Sequence, residues 1–173
     1  KKVTLVDVGA HVGHFSALAS SALDVHSIYC FEPNVALHPQ LSRNLQGVHA
    51  VIYDVACGAL EEDARLHVHL DDTMSSLRGV DPDILARHFP WDGGAQSELR
   101  VTVAPLDSYM DVILASDLPI LLKLDPQGNE ISVLDGAPGL LRKTDLIMIE
   151  HMFLTPYEDP ASFAELVDKM AQN

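Results

Sequence analysis

The strongest constraint on the fold is one short stretch. Val3-Thr4-Leu5-Val6-Asp7-Val8 runs straight into Gly9-Ala10-His11-Val12-Gly13, and Val12, Phe15, Ala19, Ala22 and Leu23 then recur at helical spacing. A β-branched, nearly all-apolar run is a strand buried on both faces of a parallel sheet, and spacings of three and four mark one face of a helix. The unit repeats. Ser27 to Phe31 is a second strand that ends at Glu32-Pro33-Asn34, Asn34 is placed to cap a helix carrying Leu37, Leu41 and Leu45, and Val48 to Tyr53 is a third strand. Alternating strands and helices predict βαβ units, and so an α/β fold around a mostly parallel sheet.

The middle of the chain departs from that rhythm. Arg65 to Leu70 and Leu99 to Ala104 alternate apolar with polar residues, as strands with one wet face do, and are expected as an inserted antiparallel pair. Arg78 to Glu98, with the single Trp91, has no clear period and is expected as a mobile segment over the site. Regular α/β then resumes. Pro119 to Asp125 is a buried strand, Asn129 to Asp135 a helix, Leu146 to His151 another strand, and Pro160 opens a last helix.

The 173 residues suit a single domain, 1–173, and both ends fall close to or inside predicted elements, so the chain reads as part of a longer domain. The formal charge of −14 excludes general nucleic-acid binding, because such a surface repels phosphate backbones. No apolar run approaches the roughly 20 residues that span a bilayer, and no signal sequence is visible. With only Cys30 and Cys57, neither a disulfide framework nor a zinc site is indicated. These features point to a cytoplasmic domain with no membrane partner; they set no oligomeric state.

In open parallel sheets, ligands bind beyond the carboxyl ends of the strands. Four of those ends carry acids: Asp7 before the Gly9–Gly13 loop, Glu32, Asp125 and Glu150. The first loop lacks the third glycine of the dinucleotide fingerprint, which disfavours an NAD-dependent dehydrogenase. Glu32 stands 19 residues beyond Gly13, where a carboxylate accepts hydrogen bonds from ribose hydroxyls and disfavours a 2′-phosphate. The site therefore wants an adenosine-type ligand without a run of phosphates. Asp54 and Ala56, after the third strand, fall where its adenine would lie. His67, His69 and Asp71 alternate along one strand and would share a face; an exposed His-x-His strand is the commoner reading, and no metal is assigned.

Several blocks in order carry a family resemblance: Val6 to Gly13, Phe31 to Asn34, Leu106-Asp107, Leu122 to Glu130 with Val133 to Ala137, and Ile149-Glu150, with Met74-Ser75-Ser76-Leu77 as a weaker block. Together they resemble the FkbM family of S-adenosylmethionine-dependent methyltransferases over roughly residues 3 to 151. His11, His14 and Pro126 depart from the residues usual there.

The resemblance implies a Rossmann-like three-layer αβα sandwich, without that family's terminal hairpin. It also implies methyl transfer from S-adenosylmethionine, leaving S-adenosylhomocysteine, to a hydroxyl of a small-molecule or sugar-like acceptor. Cofactor contacts fall to Asp7, Gly9, Ala10, His11, Gly13, Glu32, Pro33, Asn34, Asp54 and Ala56. Asp125 holds the cofactor's amino-acid end or acts as base, Lys123 pairs with an acid or orients the acceptor, and His151 is a second candidate base, its ordinary pKa lying near neutrality. A SAM-binding domain without turnover would keep the same residues.

Overall fold

The computed structural model describes residues 1–172. β1 (Val3–Val8) is buried from its second residue onward, and the Gly9–Gly13 loop delivers the chain into α1 (His14–Ala22). β2 (Val25–Phe31) follows, then a 3₁₀ turn over Val35–Leu37 and α2 (His38–Asn44), then β3 (Ala50–Tyr53). The chain returns to the same sheet with β7 (Ile120–Leu124) and β8 (Leu146–Ile149), which flank α5 (Glu130–Asp135) and α6 (Pro138–Leu141). The five strands stand in the order β3-β2-β1-β7-β8, and every pair is parallel. The order reverses between β1 and β7, so their carboxyl ends diverge into a crevice there.

Alternation along the strands sorts the core into two layers. Leu5, Ile28 and Cys30 face α1 and α2 and pack with Ala19, Leu41 and Leu45. Val6, Val8, Phe31, Leu122 and Leu124 face the other way, onto Val133 and Leu134 of α5, Leu140 of α6 and Leu166 of α7 (Phe163–Ala171). This is the expected three-layer α/β sandwich.

The insertion forms a second sheet in the order β4-β6-β5. β5 (Glu62–His69) and β6 (Ala95–Ala104) are the expected antiparallel pair, and β4 (Val55–Cys57) adds in parallel to β6. Two expectations change. The aperiodic stretch 78–98 holds regular elements: Asp81 caps α3 (Pro82–His88) by accepting from the Asp83 and Ile84 N–H groups, and β6 starts at Ala95. Pro82 in the first turn breaks the apolar period without breaking the helix. The last helix opens at Phe163 rather than Pro160, because Ser162 and Glu165 form a reciprocal capping box there. A short α4 (Met110–Ile113) links the two sheets.

Candidate active site

A cavity of about 540 Å³ opens over the carboxyl ends of the parallel strands, at the reversal of strand order. The first loop forms one side of it. Gly9, His11 and Gly13 all take positive φ, at 70°, 50° and 80°. Close approach adds to this demand: a Cβ at Gly9 would lie 2.0 Å from the Asp125 carbonyl oxygen, and one at Gly13 2.5 Å from Leu41 Cδ1. The loop is held onto β2 because the Gly9 and Ala10 N–H groups both donate to the Phe31 carbonyl, at 3.0 and 3.2 Å.

Glu32 sits in the wall, 6% exposed, with both carboxylate oxygens anchored. The His11 N–H donates to Oε2 and the Asn34 N–H to Oε1, each at 2.8 Å. Burial pushes its pKa above the ordinary glutamate range, and those two N–H groups oppose the shift. Each oxygen keeps a free lone pair, so the group is an oriented acceptor for two neighbouring hydroxyls.

At the reversal point, strand register assembles an ionic cluster. Asp7 of β1 lies opposite Lys123 of β7, on the face that looks toward α1. Lys123 Nζ is 3.2 Å from Asp7 Oδ1 and 3.2 Å from Asp125 Oδ2, and it donates to the Gly9 carbonyl at 2.9 Å. Ser16 of α1 donates to Asp7 Oδ2 at 2.6 Å. Burial raises the Asp7 pKa against the pull of Lys123; burial also lowers the Lys123 pKa, but Asp7 and Asp125 outweigh it and leave it raised. The ammonium therefore stays charged and ties the first loop to β7.

Asp125 is gripped from its other side too, where Gln127 Nε2 donates to Oδ1 at 2.7 Å. Glu150 follows β8 directly beside it, because Leu124 and Ile149 are register partners and the Glu150 N–H donates to the Leu124 carbonyl. Glu130, at the start of α5, folds back to accept from the Gly128 N–H at 2.8 Å.

The far wall comes from the insertion. Asp72, Ser75, Ser76 and Leu77 line the cavity, latched across it at three points. Asp72 Oδ1 lies 3.0 Å from His11 Nε2, Ser76 Oγ donates to the Gln127 carbonyl at 2.5 Å, and the Tyr157 hydroxyl lies 2.9 Å from the Met74 carbonyl.

The family model for the methyltransferase FkbM domain matches residues 7–173. The chain belongs to the FkbM methyltransferase domain family. The fold agrees with that of methyltransferase FkbM from Methylobacillus flagellatus KT, solved by crystallography, at a TM-score of 0.63 and 16% identity. That match covers 98% of this chain and 36% of the other, so the chain spans about a third of that protein's length. Among curated proteins, no sequence matches the chain.

In this FkbM domain the residues singled out in the sequence divide into two groups. Gly9, Ala10, His11, Glu32, Pro33, Asn34, Ala56, Lys123 and Asp125 all border the main cavity. Asp7 and Gly13 lie behind it. Asp7 is fully buried under Lys123, and Gly13 caps α1 with its α-carbon turned toward Leu41. Asp54 is exposed at the end of β3 and does not border the cavity, whereas Ala56, carried inward by β4, does. His151 borders a separate small cavity and packs against Phe153, with ring centroids 4.9 Å apart.

Two expectations about the insertion are corrected. Trp91 and its neighbours do not border the cavity; Trp91 is 61% exposed against Phe89, and the segment that faces the site is 72–77. Met74-Ser75-Ser76-Leu77 was its only sequence signal, as the weakest of the family blocks. Nor do His67, His69 and Asp71 share a face. A register shift between Val68 and His69 breaks the alternation. His69 turns inward onto Asp92 at 2.5 Å, His67 stands 3.5 Å from Glu98, and Asp71 caps the turn at Thr73. Among the described residues no group of three metal-ligating side chains assembles, and no helix is long and apolar enough to cross a membrane.

Proposed function

We propose that this domain binds S-adenosylmethionine in the main cavity and methylates a hydroxyl of a small, sugar-like acceptor. The observation that carries the cofactor assignment is Glu32: a carboxylate fixed by two backbone N–H groups in the wall of a ligand-sized cavity, beyond the second strand of a parallel sheet. The charges lining the cavity agree. Glu32, Asp72, Asp125 and Glu150 border it, and its one ammonium, Lys123, is already neutralised by Asp7 and Asp125. Such a lining favours a cationic ligand and repels a run of phosphates.

S-adenosylmethionine supplies an electrophilic methyl group on a positively charged sulfur. Glu32 takes the ribose hydroxyls. The first loop, from Gly9 to His11, passes close to the ligand, and Asn34 with Ala56 borders its adenine. Asp125, held rigid by Gln127 and Lys123, takes the ammonium of the amino-acid end. The wall at Asp72 to Leu77 closes the site from above and limits water. Alignment of acceptor and donor at contact distance provides most of the rate enhancement in such a displacement. The acceptor is a small molecule and not a nucleic acid, whose phosphates the charge of −14 would repel.

Calorimetry with S-adenosylmethionine and S-adenosylhomocysteine tests the reading. Wild-type protein binds both, and Glu32→Ala binds at least tenfold more weakly, since each hydrogen bond to a charged group contributes about 1.5–3 kcal/mol and about 1.4 kcal/mol is a factor of ten. Binding of NAD without either adenosyl ligand would overturn it.

A further inference from the structure

Resting on the O-methyl-transfer reading, we propose that Glu150 is the general base that takes the acceptor's proton, while its neighbour Asp125 is held in place by Gln127 and Lys123. The two carboxyls follow adjacent parallel strands and border the same cavity. Their surroundings differ. Asp125 has a donor on each oxygen: Gln127 Nε2 at 2.7 Å on Oδ1, and the Lys123 ammonium at 3.2 Å on Oδ2. Those two donors occupy both oxygens and hold the carboxylate in one orientation.

Glu150 has no such clamp. It stands more open than Asp125, at the rim of the cavity that both border. The groups that act on Glu150 are Asp125 and Lys123 from β7 and Glu130 from α5, with His151 next in the chain. Burial, then the Asp125 charge, raises its pKa above the ordinary glutamate value, with Lys123 opposing. A carboxylate whose proton affinity is raised by its surroundings is a better general base near neutral pH.

Position also favours Glu150 over His151. Glu150 borders both the main cavity and a second one of about 20 Å³, whereas His151 borders only the second, along with Tyr157. That small space suffices for about one water beside the Glu150 carboxyl. In the transfer, the acceptor's O–H bond breaks as its oxygen bonds to the methyl carbon. The proton passes to a Glu150 carboxylate oxygen, and the electron pair of the broken sulfur–methyl bond stays on sulfur and cancels its charge.

Carboxyl-labelled NMR titration of the cofactor-free protein gives a reading that needs no acceptor. Glu150 titrates above the ordinary glutamate value of about 4.3, and Asp125→Asn moves it downward by removing the neighbouring charge. A Glu150 midpoint at or below that ordinary value would overturn the assignment. Calorimetry and turnover complete the test, with methyl glycosides as the hydroxyl probe. Glu150→Gln keeps S-adenosylhomocysteine affinity within about twofold and loses about 100-fold or more in kcat. Unchanged kcat, or affinity and kcat falling together, would also sink it. If the wild type binds neither adenosyl ligand, the methyltransferase reading fails instead, and the titration still reports on the carboxyl pair.

Discussion

Each of the two sheets buries one acid against one base, by different routes. In the five-stranded sheet, Asp7 and Lys123 are register partners on adjacent parallel strands, so backbone pairing alone sets them side by side. In the three-stranded sheet, His69 and Asp92 both have fully buried side chains, but they meet because a register shift turns His69 inward and the chain after α3 brings Asp92 onto it. The first pair sits under the cavity and holds its first loop. The second sits within the insertion and shapes the element that bears the far wall. A polar pair set by strand register is thus built into the sheet that carries the site, whereas the other, set by loop packing, orders the insertion that supplies the far wall.

The largest effect should come from the parallel sheet. Lys123→Met leaves Asp7 buried without its cation and should destabilise the fold by about 3–5 kcal/mol, read by urea denaturation. A loss under 1 kcal/mol would mean that Asp7 is already neutral. Asp92→Asn in the insertion should cost less, about 1–3 kcal/mol, because the amide oxygen of the isosteric asparagine can still pair with His69 Nδ1. Its opening should be local: amide exchange quickens over residues 70–94 while β1 and β7 keep their protection. Uniform loss of protection would show that the two sheets unfold as one unit.

The smallest effect tests the latch between the regions. The Tyr157 hydroxyl lies 2.9 Å from both the Met74 carbonyl and Gln127 Oε1. Tyr157→Phe should cost about 0.5–1.5 kcal/mol and speed exchange at residues 72–77. Unchanged exchange there would show that His11–Asp72 and Ser76–Gln127 hold the wall without it.

Legibility follows the same division. β1, β2, β7 and β8 are near-continuous apolar runs, which their neighbours on both faces require, so strands and strand ends could be read directly. With them came the acids at those ends and the Lys123–Asp125 alternation along one face. The insertion gave weaker signals. β5 and β6 showed their period, but α3 was hidden by Pro82 and a short apolar face. The His69 reading failed because a one-residue irregularity reverses which side a residue faces. Asp54 and Ala56 show the same limit: two positions apart, only Ala56 is carried to the cavity by β4.

The sequence by itself determined the parallel α/β framework, the glycine loop after β1 and the acids at four strand ends, because each follows from local period or turn chemistry, and its ordered blocks carried the resemblance to the family. Only the tertiary structure decided what those acids do to one another. It clamped Asp125 between Gln127 and Lys123, left Glu150 open beside it, sent His151 to a separate space and closed the cavity with residues 72–77. Proton affinity and cavity shape depend on distances across the sheet, and those exist only once the strands have paired.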